Sequence, residues 1–148
     1  NQSQAALVIR NHHTGTVTIC NNYFHGAEVS QPRGHGNLLN GLGIRIESSS
    51  NVIIRNNFFE GCGGKIIELD GALQPQSNLK IEFNRVLNMN AGTMRSYGPD
   101  AHFVAFCNVA GGTQNSISYN RILNLPNQSF STDVFNSYQS AGGHIEDY

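Results

Sequence analysis

Four times in this chain an Asn stands three residues after an aliphatic residue and two before a hydrophobic one. The passages are Val17-Thr-Ile-Cys-Asn-Asn-Tyr-Phe24, Val52-Ile-Ile-Arg-Asn-Asn-Phe-Phe59, Leu79-Lys-Ile-Glu-Phe-Asn-Arg-Val86 and Asn115-Ser-Ile-Ser-Tyr-Asn-Arg-Ile122. Aligned on Asn22, Asn57, Asn84 and Asn120, they recur at spacings of 35, 27 and 36 residues. Ile19, Ile54, Ile81 and Ile117 then share one column, and Phe24, Phe59, Val86 and Ile122 share another. A unit repeated at this period cannot bury its inward face alone; stacked on its copies it can, which is the logic of a solenoid.

Each unit carries a second short strand upstream: Leu7-Val-Ile9, Ile44-Arg-Ile46, Ile67-Glu-Leu69 and Val104-Ala-Phe106. Apolar residues fall at i and i+2, the pattern of a half-buried strand. Gly, Ser, Asn and Pro clusters separate the strands, as in His12-His-Thr-Gly15 and Ser48-Ser-Ser-Asn51. The chain holds 19 Asn and 16 Gly in 148 residues, and both residue types serve turns better than strand or helix interiors. A hydrophobic fraction of 39% separates it from a disordered linker. One unit therefore reads strand, turn, strand, bend at Asn, short strand, variable loop.

The Asn column has two candidate roles at that bend. Asn tolerates the left-handed backbone a sharp corner requires. Its amide can also bond the equivalent amide one coil away, forming a ladder. Isolated hairpin turns would not require the same residue at one phase of four units. These passages resemble the right-handed parallel β-helix proteins of the pectate-lyase-like superfamily over nearly the whole chain. The expected fold is all-β: a right-handed parallel β-helix solenoid of about four coils, forming one domain over residues 1–148. Gly143-His-Ile-Glu-Asp-Tyr148 reads as the opening strand of a fifth unit, so the expectation is a piece of a longer helix, open at its C-terminal end, or a chain whose partner covers its ends. Open ends present unpaired strand edges, so self-association through them is an expected partner mode.

The resemblance implies engagement of carbohydrate, by a polysaccharide lyase or glycoside hydrolase acting on an acidic polysaccharide, in a secreted or cell-surface protein. A non-catalytic solenoid, such as a phage tailspike or adhesin segment, is the alternative, because this fold hosts many activities. A net charge of -1 with 13% charged residues offers no field for nucleic acid. No apolar stretch is long enough to span a membrane. Cys20, Cys62 and Cys107 are odd in number and far apart, so they imply no disulfide framework.

Strand register selects the candidate site. On the first strands Arg45 and Glu47 should stand beside Glu68 and Asp70 of the next unit, with Arg10 one unit before Glu47. These are the expected catalytic residues (Arg45, Glu47, Glu68, Asp70), with Arg10 binding substrate. A lyase needs a base and a cation to neutralise a uronate, and a hydrolase needs two carboxylates at roughly 5 to 9.5 Å. The plainer reading is a set of surface ion pairs. The loop residues Arg95, Tyr97, Asp100 and His102 combine cation, aromatic, carboxylate and imidazole, and are expected to line the same groove. Glu68 and Asp70 could hold Ca²⁺ only with further oxygen ligands, which the sequence does not display.

Overall fold

The structure is a computed structural model that describes residues 5–25, 42–62, 64–71, 75–89, 102–111, 114–129, 134–138 and 140. Its strands fall into successive coils. Coil one holds β1 (Ala5–Arg10), β2 (Val17–Cys20) and β3 (Tyr23–His25). Coil two holds β4 (Leu42–Glu47), β5 (Val52–Arg55) and β6 (Phe58–Glu60). Coil three holds β7 (Ile67–Asp70), β8 (Pro75–Gln76), β9 (Leu79–Glu82) and β10 (Arg85–Leu87). Coil four holds β11 (Val104–Cys107), β12 (Ala110–Gly111), β13 (Ser116–Ser118) and β14 (Arg121–Leu123). β15 (Phe135–Tyr138) opens coil five.

Strands of equal phase stack into three main sheets, in the orders β1-β4-β7-β11-β15, β2-β5-β9-β13 and β3-β6-β10-β14, with a small β8-β12 pair beside them. Every pairing among the described residues is parallel, which excludes the hairpin alternative. The fold is a parallel β-helix. The sequence columns are its registers: Ile19, Ile54, Ile81 and Ile117 pair in succession, as do Phe24, Phe59, Val86 and Ile122. Ile9, Ile46, Leu69 and Phe106 form the third column.

These columns are the core. Ile44, Ile54, Phe59, Ile66 and Ile67 are fully buried, while Ile9, Phe24, Ile117 and Ile122 in the outer coils pack on them less completely. Each fully buried aliphatic or aromatic side chain contributes roughly 1.5–3 kcal/mol to stacking. Phe24 and Phe59 continue the column as a parallel ring stack with centroids 4.8 Å apart. Coils approach closely at Gly71, where an added Cβ would lie 2.5 Å from the Asn108 carbonyl oxygen.

The Asn ladder is present, with one correction. Asn22 Nδ2 donates to Asn57 Oδ1 at 3.1 Å, Asn57 Nδ2 to Asn84 Oδ1 at 3.0 Å, and Asn84 Nδ2 to Asn120 Oδ1 at 2.9 Å. Each acceptor also takes the backbone N–H of the preceding ladder Asn. The amides of Asn57, Asn84 and Asn120 also reach back to the carbonyls of Ile19, Ile54 and Ile81 respectively, and that of Asn22 to Cys20 in its own coil. The left-handed residue at this bend, however, is the one before each ladder Asn: Asn21, Asn56, Phe83 and Tyr119, with φ of 59, 53, 55 and 55°. That earlier residue makes the corner, which leaves the ladder Asn pointing inward to bond its neighbours.

The expected fifth strand also moves. β15 pairs Phe135 with Val104 and Ser137 with Phe106, so coil five opens at 135–138, and residues 143–148 lie outside the described residues. A polar Ser occupies the apolar column there, which is why alternation alone pointed to Ile145. Truncating the ladder tests its weight. Asn84 is fully buried, and Asn84→Ala leaves the N–H and one amide hydrogen of Asn57 without partners and removes a donor from the Ile54 carbonyl. Chemical denaturation should show a loss on the order of 3 kcal/mol, and a much smaller one for the exposed end residue in Asn22→Ala.

Candidate functional site

Alternation along the first sheet aims every second residue outward, and coil stacking lines those residues up at about 4.8 Å. One outward row runs Val8, Arg45, Glu68, Ala105; the next runs Arg10, Glu47, Asp70, Cys107. The sequence-expected residues Arg10, Arg45, Glu47, Glu68 and Asp70 therefore meet on one face. Arg45 is the hub. Its Nε lies 2.8 Å from Glu47 Oε1 and 3.4 Å from Glu68 Oε2, and its Nη2 lies 2.7 Å from Asp70 Oδ2. Arg10 donates to Glu47 from the open side, with 60% of its side chain exposed.

Two members of this network were not among the expected site residues, although Cys107 reads as an outward strand residue from the sequence. Lys65, just ahead of β7, places Nζ 2.6 Å from Glu68 Oε1 and 3.6 Å from Cys107 Sγ. Cys107 Sγ lies 3.7 Å from the same Glu68 oxygen. Lys65 lies outside the strand alternation, three residues before Glu68, so the i, i+2 pattern could not find it. Cys107 was legible from register alone, two residues beyond the inward Phe106 column's neighbour Ala105 and opposite Asp70.

Charge states follow from these contacts. The Arg10 hydrogen bond holds the Glu47 carboxyl below its ordinary range, against an opposing effect of burial, and the charges of Arg45 and Arg10 add to it. Burial works against a charged Lys65, but the Glu68 hydrogen bond and charge, with help from Cys107, raise it above the usual lysine value. Burial pushes the Cys107 thiol up; Lys65 offsets part of that and Glu68 reinforces it. A thiol held neutral in this way is a poor nucleophile.

Beside the ion pairs lies an open depression of about 220 Å³, lined by Arg10, Asn11, Arg45, Glu47, Ser48 and Asp70. The strands thus present two guanidinium donors and two carboxylate acceptors around a single concavity. Comparison with protein families matches the chain over residues 1–140 to the right handed beta helix region. The chain belongs to that family. Its coils accordingly wind right-handed. Comparisons with curated proteins and with solved structures find no match.

Other expected site residues fall elsewhere in this right-handed β-helix. Arg95, Tyr97 and Asp100 lie outside the described residues. His102 is 3% exposed at the head of β11, where its carbonyl accepts the Ile66 N–H, so its ring is not open to a ligand in solvent. No group of three or more His, Cys, Asp or Glu that could hold a metal ion occurs among the described residues. Ca²⁺ at Glu68 and Asp70 would have to displace Lys65 and Arg45 from those carboxylates.

The sign of the pH dependence follows from the two shifts. Glu47 has a depressed pKa in the fold, so its stabilisation is complete above the ordinary value of 4.5 and is lost as pH falls. Lys65 is raised, so its contribution is complete below 10.5 and is lost as pH climbs past that value. Melting temperature should fall below pH 4.5, with a shallower acid limb in Glu47→Gln; parallel profiles would contradict this assignment of the acid limb.

Proposed function

We propose that this β-helix module engages polysaccharide along the outer face of its first sheet, as a secreted or cell-surface protein. The observation that carries the reading is the depression bounded by Arg10, Arg45, Glu47 and Asp70. Sugar hydroxyls donate and accept, and this depression supplies both acceptors and charge-assisted donors, with Asn11 and Ser48 at its edge. Arg10 is the most open of the four charged groups and the first of them a ligand would meet.

Turnover by this face would fall to Glu47 and Asp70. Their backbones are register partners on adjacent strands about 4.8 Å apart, and both carboxylates contact the Arg45 guanidinium, a proximity compatible with the roughly 5–5.5 Å carboxyl pair of a retaining glycosidase. Glu47, held ionised, suits a nucleophile or base better than an acid. For a lyase acting on an acidic polysaccharide, Arg45 is the group to neutralise the uronate carboxylate. The second reading is a structural solenoid, favoured by the mutual pairing of Arg45 and Lys65 with Glu47, Glu68 and Asp70.

Affinity electrophoresis against a panel of neutral and acidic polysaccharides separates the two. Wild-type protein should be retarded by at least one polymer, and Arg10→Ala should weaken that retardation about tenfold, the value of one charge-assisted hydrogen bond, with only the small drop in melting temperature that loss of its exposed pair with Glu47 entails. Release of reducing ends or unsaturated products, lost in Asp70→Asn and Glu47→Gln, would support the enzymatic form. Retardation by none of the polymers would leave the structural solenoid.

A further inference from the structure

The corner between the second and third sheets breaks three local rules in coils three and four. First, its left-handed position holds Asn21 and Asn56 in the first two coils but Phe83 and Tyr119 in the next two. Asn accepts that backbone at little cost, whereas bulky residues with φ of 55° are true outliers. Second, these rings recover little by burial: Phe83 is 51% and Tyr119 76% exposed, stacked on each other with centroids 5.0 Å apart and planes 9° from parallel. Third, two residues further on, Arg85 and Arg121 face each other in register on adjacent parallel strands, both exposed. Like charges so placed repel, and among the described residues neither makes an ion pair.

The fold has its own solution for this corner and uses it one coil away. Strained, exposed aromatics beside two unneutralised guanidiniums therefore answer to something outside the fold. The same sheet column continues through Phe58 and Tyr23, which stack at 5.4 Å with planes 15° apart. In coils three and four the corner rings and the arginines thus form two adjacent lines at the coil period, the arginine line running on into Phe58 and Tyr23. A repeating line fits a repeating ligand: one with an apolar ring face for Tyr119 and an anionic group for each arginine. An acidic glycan strand has both.

We infer that Phe83, Tyr119, Arg85 and Arg121 form a second binding stripe, on a different face from the first-sheet depression and independent of it, for a carboxylate-bearing glycan. The arginines bond the carboxylates and the rings pack against the sugars. The coil repeat presents the two arginines at about 4.8 Å.

Two double variants test this, with alginate as the acidic probe and dextran as the neutral one. Arg85→Gln/Arg121→Gln should lower alginate affinity at least tenfold with no change for dextran. Phe83→Asn/Tyr119→Asn should lower it similarly without lowering the melting temperature, because Asn relieves the strained corner. Both double variants are compared in an Arg10→Ala background, where the first-sheet site is already weakened, so that any further loss of alginate affinity is read from this stripe. Unchanged alginate affinity in the arginine variant overturns the proposal whatever the aromatic variant does. So does a wild-type dimer, dissolved by the aromatic variant, in a protein that alginate does not retard.

Discussion

One amide stacked on the next at a single corner sets the phase of everything else. Asn57 and Asn84 use both side-chain hydrogens and accept twice through Oδ1, so each inner rung is satisfied without water. Buried polar groups are tolerated on that condition. A one-residue slip would strip the rungs of partners and turn the apolar columns outward. The ladder and the columns therefore enforce the same register, and loops as different in length as those between successive coils leave it intact.

Outward geometry follows from that phase. Because Ile46 stacks on Leu69, Arg45 must stand beside Glu68 and Glu47 beside Asp70. The ion-pair network is thus a by-product of core register that the surface sequence has exploited. Arg45, shared by three carboxylates, is held more firmly than an isolated surface pair, and Arg10 remains at its open margin. The corner opposite follows the same arithmetic: its aromatic and arginine lines repeat because the coils do.

The columns and the first-sheet face were legible in the sequence because periodic burial writes periodic apolar residues. The corner residue was not. In Asn21-Asn22 and Asn56-Asn57 two identical neighbours hide which one turns the chain, and only Phe83-Asn84 and Tyr119-Asn120 break the tie. Read that way, the residue before each ladder Asn would have exposed the strained aromatics directly. Lys65 escaped because its place beside Glu68 comes from the segment entering β7, which has no period. Coil five escaped because Ser137 fills a position where the other coils place Ile, Leu or Phe.

The Asn stack belongs to the globally cooperative structure and does not merely decorate a corner. Native-state amide hydrogen exchange reads this at single residues. The backbone N–H groups of Asn57 and Asn84, bonded to side-chain oxygens of the next coil, should exchange only through global unfolding, as slowly as core amides such as Ile67. Exchange of either at the rate of an exposed turn amide such as Gln128 would contradict it.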